Sequence, residues 1–187
     1  MDIILYLVLA AVVLVPLYGI YLYNRLVGSR NLVEEGWSGI DVQLKRRANL
    51  VPNLIETVKG YAAHEKGVLE ELTRARAAAT SAGSVAEAGQ ATGALSTALR
   101  HVFALAEAYP ELQADDNFRQ LQSQLAELED AIQKARRYYN GAVRRLNTLI
   151  EVFPSSIVAS RFRFARAEYF EIDDDGERAV PKVDFGS

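Results

Sequence analysis

The sequence predicts an all-α fold: an N-terminal transmembrane helix, then a bundle of long helices, then a short irregular or hairpin tail. Three observations carry that prediction. Residues 3–23 form a run without a charged side chain. Downstream, apolar residues recur at the three-and-four spacing of a helix and not at the alternation of a strand. One of those stripes, from Phe118 to Phe153, continues through eleven positions without a miss.

Composition narrows the function before any motif is read. The chain has 187 residues, room for one medium-sized domain, and its 21 Lys+Arg against 24 Asp+Glu leave a formal charge of only −3. Nothing in that balance suits a nucleic-acid partner. Cysteine is absent, which excludes a disulfide framework, a thiolate zinc site and a cysteine nucleophile.

The first element is "IILYLVLAAVVLVPLYGIYLY", residues 3–23. At about 1.5 Å of rise per residue it spans roughly 30 Å, the thickness of a bilayer's hydrocarbon core. A cleaved signal would place a basic segment before a shorter apolar core, whereas only Met1 and Asp2 precede this run. Tyr6 near one end and Tyr18, Tyr21 and Tyr23 near the other stand where aromatic rings favour the membrane interface. Arg25 and Arg30 follow, and no basic side chain precedes the span, so residues 24–187 are predicted to be cytoplasmic. Pro16 is tolerated in a membrane helix and predicts at most a slight kink.

From about residue 31 to 79, Trp37, Leu44, Val51, Val58 and Leu72 recur at sevens, interleaved with Ile40, Leu54, Tyr61, Val68 and Ala75. This is a helix-packing stripe, interrupted at Arg47 and Glu65, and so a bundle helix rather than a strict coiled coil. Pro52 removes one backbone hydrogen bond and predicts a kink there. The small, polar, glycine-containing residues 81–93 read as the first loop and the site of chain reversal. A shorter helix through Leu95, Leu99, Val102, Ala106 and Tyr109 must end near Pro110, and Asp115, Asp116 and Asn117 offer N-caps for the next.

That next helix carries the stripe of eleven: Phe118, Leu121, Leu125, Leu128, Ile132, Ala135, Tyr139, Ala142, Leu146, Leu149 and Phe153. At roughly 1.5–3 kcal/mol for each large side chain, its burial is worth on the order of 20 kcal/mol gross. It must pack on the first long helix, on a copy of itself, or on both. Pro154 stops it, and Ser155 or Ser156 can cap a short helix toward Ala167. The end of the chain reads as a short apolar segment, the acidic turn "DDDGER" and a second extended segment, with Pro181 limiting strand pairing.

Within the long helix, "ARRYYNGAVRRLN" sets four arginines and two tyrosines around an Asn-Gly pair. A hairpin turn at Asn140-Gly141 would break the register that Tyr139 and Ala142 keep. Arg137 and Arg144 fall opposite the seam, so basic and aromatic groups occupy different faces, unlike a single-strand nucleic-acid surface.

Other chemistry fails on spacing. "HEKGV", residues 64–68, would need a second histidine at Val68 to bind zinc as a metalloprotease helix does. A histidine kinase helix would need a nucleotide-binding domain that does not follow. Glu70 with Glu71 and Glu127 with Glu129 lack the Glu-x-x-His partners of a di-iron bundle and read as a solvated face. No nucleophile elbow, P-loop or dinucleotide fingerprint is present in the sequence. No catalytic residue, metal ligand or cofactor is assigned.

Several long motifs then occur in one order: "YNRLV" with Trp37 beyond it, "QLKRRANLVPNLIETVKGYAAHE", "LAEAYPELQADDNF", "LQSQLAELED", "ARRYYNGAVRRLNTLIEVFPSSIVA", "YFE" and "PKVDF". In these the chain resembles the LemA family of bacterial proteins over nearly its whole length. It departs from the family's usual pattern at Ser156, commonly Asn, and at Gly141, rarely glycine, which bear on local capping and helix stability. The resemblance implies an antiparallel bundle of long helices on a membrane anchor, with the N-terminus outside. It implies no catalytic activity, and relatives in the magnetosome membrane apparatus fit a role in membrane organisation.

Together these readings divide the chain into an anchor at 1–24, a cytoplasmic helical bundle at 25–168 and a tail at 169–187. The function they predict is a non-enzymatic scaffold in the bacterial plasma membrane that self-associates and organises other envelope proteins. The alternatives are an accessory in envelope stress or signalling that acts through a membrane protease or kinase, and an enzyme of unknown type whose small-molecule site the sequence does not locate. The predicted partners are the lipid bilayer, further copies of the chain and other membrane proteins, without nucleic acid.

Overall fold

The computed structural model describes residues 2–172. Six helices lie among them: α1 Asp2–Lys59, α2 Lys66–Ser81, α3 Val85–Ala106, α4 Pro110–Ala114, α5 Asp116–Glu151 and α6 Ser155–Arg161. The all-α prediction holds for the described residues, and the acidic turn with the segment after it lies outside them. The chain forms two compact units, to both of which α1 and α5 contribute: one from residues up to Ile40 with Lys134–Tyr169, the other from Asp41–Gln133 with the chain from Phe170.

In the second unit α1 and α5 run antiparallel, with Tyr61 bonded to Asp115 and Arg47 paired with Glu129. The hairpin of α2 and α3 completes the core. Val51, Leu54 and Val58 of α1 meet Leu69 and Leu72 of α2, Leu95, Leu99 and Val102 of α3, and Phe118, Leu121 and Leu125 of α5. The seam predicted on α1 and α5 is here covered by the chain's own helices.

Two boundaries differ from the sequence reading. The predicted helix over 31–79 passes Pro52 without interruption and breaks instead at 60–65. Pro52 deprives the Ala48 carbonyl of its helical donor; Arg76 of α2 replaces that donor, its Nε 3.0 Å from the same oxygen. At Gly60 and Tyr61 the backbone tightens into i→i−3 bonds to Thr57 and Val58, which closes α1.

The second difference is the predicted loop over 81–93. Only residues 82–84 separate α2 from α3. Ser84, the N-cap, accepts the Glu87 N–H at 3.2 Å while the Glu87 carboxylate accepts the N–H of the preceding Gly83 at 2.8 Å, and the two bonds start α3 early. The small residues that suggested a loop are instead buried on α3: Ala88, Gly89, Ala91, Thr92 and Gly93. They let other chain segments approach closely, and a Cβ on Gly89 would run into the backbone carbonyl of Glu171.

In the first unit α1 and α5 are again antiparallel and close. A Cβ on Gly36 would lie 3.1 Å from the Cα of Tyr139. The descending chain after α6 is laced to α5 by polar bonds. Asn147 donates to the Ala167 carbonyl and accepts the Ala167 N–H, both at 2.9 Å, and the Tyr139 hydroxyl donates to the Glu168 carbonyl at 2.8 Å.

The end of α5 corrects the seam. Phe153 lies beyond the last helical residue, Glu151, and its side chain is 80% exposed. Pro154 cannot supply the backbone donor that another turn would need, so the stripe ends before Phe153 can face inward. Ser155 and Ser156 do not cap α6. The Ser155 hydroxyl donates back to Val152, and α6 ends at Arg161, short of Ala167.

Candidate functional site

The site is built from the apolar run of α1 and from the surfaces beside it. Every large apolar side chain from Ile3 to Tyr21 is at least half exposed. One helix among the described residues, α1, is long and apolar enough to cross a membrane. Tyr6 is exposed, and Tyr18 and Tyr21 stack at 6.0 Å between ring centroids.

Tyr23 contacts a second segment of the first unit. Its ring lies 4.7 Å from Phe162 and 5.9 Å from Phe164, tying the end of the apolar run to the segment after α6. Arg30 sits 5.7 Å over Phe164 and 3.8 Å from Glu34, while Arg25 is exposed.

Of the predicted seam residues, Tyr139 and Leu146 are buried in the first unit, and Val51, Phe118, Leu125 and Ile132 are buried in the second. Trp37 and Leu44 are partly covered. Trp37 packs at 5.8 Å on Tyr139, whose hydroxyl is pushed above its ordinary pKa by burial first and the nearby Glu168 carboxylate second.

A polar cluster in the second unit escaped sequence reasoning. Arg47 is a buried seam residue, and Glu129, assigned above to a solvated face, is its partner at 2.9 Å. The Nε and Nη1 of Arg47 have no hydrogen-bond partner. Burial lowers the Arg47 pKa, Glu129 opposes that shift, and Arg100 reinforces it. Arg47, Arg100, Ser96, Gln122 and Glu129 line a cavity of about 430 Å³ walled by Leu99, Phe103 and Leu125. The only advance signal was an arginine on an apolar stripe.

The tip of this unit carries two tyrosine–carboxylate bonds. Tyr61 donates to Asp115 at 2.9 Å, and Tyr109 to Glu65 at 3.1 Å. Each raises the tyrosine's pKa, chiefly through the hydrogen bond itself. Asp115 also accepts the Phe118 N–H at 2.9 Å as the cap of α5, and that bond is the first cause of its lowered pKa. His64 is exposed, while His101 meets Glu71 at 3.1 Å.

Comparison with known proteins decides the family. The profile of the LemA family matches residues 36–185. The chain belongs to the LemA family. Among its relatives, magnetosome protein MamQ 2 of Paramagnetospirillum magneticum is 26% identical over 184 residues, covering 84% of this chain and 68% of the relative. Magnetosome protein MamQ of Magnetospirillum gryphiswaldense is 24% identical over the same coverage. The LemA match begins at Gly36, which with Trp37 packs on Tyr139 of α5, and runs past the last described residue. The magnetosome names and the apolar helix both point to a membrane-associated helical protein.

Proposed function

We propose that this LemA-family chain is a non-enzymatic scaffold anchored in the bacterial plasma membrane by residues 3–23, with its helical bundle in the cytoplasm. The observation that carries the reading is α1 itself. The uncovered apolar run continues without a break into the helix that supplies both units. A helix continuous from lipid to bundle fixes the bundle's distance from the membrane, as a scaffold requires. The scaffold organises other membrane proteins, in keeping with the magnetosome relatives.

Self-association rests on less than the sequence suggested, because the second unit's seam is covered within the chain. Crosslinking of the full-length protein in native membranes tests both parts. Contacts mainly between copies support a self-associating scaffold. One dominant heterologous protease or kinase supports the accessory role, and no crosslink of either kind removes the scaffold reading.

A further inference from the structure

The corner between α5 and α6 exposes apolar side chains where a soluble surface would carry polar ones. Val152 is 45% exposed, Phe153 80%, Ile157 62% and Phe162 56%. Helix α6 buries Ser155 and Ala159 against the unit and turns Ile157 outward, so its larger apolar side chain lies on the uncovered face. Isolated exposed apolar residues need no explanation, but a contiguous group does.

Two further observations say what covers it. The first is its level along α1. Gly36 lies beside Tyr139; fourteen residues on from Tyr139 is Phe153, and fourteen back from Gly36 is Leu22, at the end of the apolar span. The ring contact of Tyr23 with Phe162 at 4.7 Å fixes the same level independently. The second is charge. Residues 144–169 hold five arginines and two glutamates, against a whole-chain charge of −3. One of those glutamates, Glu151, is already paired with Arg166 at 2.9 Å.

We propose that this corner is a second membrane contact: Phe153, Ile157 and Phe162 enter the interfacial layer beside the anchor, and Arg161 and Arg163 meet anionic lipid headgroups. Apolar side chains flanked by arginines suit that layer, where rings and methyl groups leave water while guanidinium groups stay at the headgroups. The contact would fix the first unit's orientation about the anchor, which a single span alone leaves free to rotate. It rests on the anchor reading above.

The chain's lack of cysteine makes the test direct. Single variants Phe153→Cys, Ile157→Cys, Leu9→Cys and Ser81→Cys of the full-length protein carry an environment-sensitive fluorophore. They are reconstituted in phosphatidylcholine–phosphatidylglycerol vesicles whose lipids bear a nitroxide quencher either near the headgroup or near the chain end. Labels at 153 and 157 should lose most of their fluorescence to the shallow quencher and little to the deep one. The label at position 9 should do the reverse, and the label at 81 should respond to neither.

If 153 and 157 behave like 81 while 9 is quenched, the second contact is overturned and the anchor stands. A blue-shifted but unquenched label at 153 or 157 also overturns it, in favour of a protein surface. An unquenched label at 9 overturns the anchor and this contact together. In vesicles of phosphatidylcholine alone, shallow quenching at 153 and 157 should fall; unchanged quenching would overturn the role given to Arg161 and Arg163.

Discussion

Two helical glycines, Gly141 and Gly89, answer oppositely to the same substitution. Around Gly141 of α5 an added Cβ meets nothing within 4 Å. Alanine there removes only the conformational freedom of the unfolded chain, and Gly141→Ala should stabilise the protein by about 0.5–1 kcal/mol. At Gly89 of α3 the same Cβ meets the Glu171 backbone carbonyl, which has no rotamer in which to yield. The gain of about 1 kcal/mol in helix propensity is then outweighed by an overpacking cost of about 1–3 kcal/mol. Gly89→Ala should therefore lower stability and loosen the neighbouring Phe170, which is fully buried. Denaturant unfolding of both variants in the same detergent checks this, and equal midpoints would refute the assigned contact. The sequence could not separate these two glycines, because the partner of Gly89 comes from a segment far along the chain.

At the scale of the element, helix α1 survives Pro52 because a neighbouring helix repairs it. Arg76→Ala would leave the Ala48 carbonyl without a donor, at a cost of about 1–3 kcal/mol for a covered acceptor. In a Pro52→Ala background the residue at 52 regains its own N–H, so Arg76→Ala should cost clearly less there. A double-mutant cycle measures that coupling, and additivity within error would show that Arg76 does not substitute for the missing donor. The cap of α5 gives a pH prediction. Asp115 is held below its ordinary 3.8, first by the Phe118 N–H and then by the Tyr61 hydroxyl. Since the folded pKa is the lower one, its contribution is present above the unfolded value and is lost as pH falls through the folded value. Wild type should exceed Asp115→Asn in stability at neutral pH, and that gap should shrink below about pH 4. A gap that stayed constant from neutral to strongly acidic pH would discard the assignment. These elements also show what a sequence can disclose. The repeat that places Leu121, Leu125, Ile132, Tyr139 and Leu146 on one face is a property of a helix alone, so it was visible. The turn at Gly60 was hidden because α2 resumes the apolar stripe almost in phase. Residues 85–93 read as loop in the sequence because small residues serve close helix packing and open turns alike. Glu129 passed for a solvated carboxylate because its partner, Arg47, lies on another helix.

At the scale of the whole molecule, orientation follows from which charges act when. The rule that sets membrane topology counts basic residues close in sequence to the span, so Arg25 and Arg30 enter it. The arginines of residues 144–169 lie too far along the chain to bias insertion. They act only once the fold has brought their corner to the level of Tyr23, through attraction to the anionic surface. In the proposed arrangement both terms would act toward the cytoplasmic side, the first kinetically and the second at equilibrium. Ser81 ends α2 on an exposed surface, so a cysteine there would report access through the membrane and not burial. With Ser81→Cys in intact cells, a membrane-impermeant maleimide should leave the protein unlabelled, and permeabilisation should restore full labelling. Labelling before permeabilisation would reverse the orientation and place Arg25, Arg30 and the arginine-rich corner outside the cell.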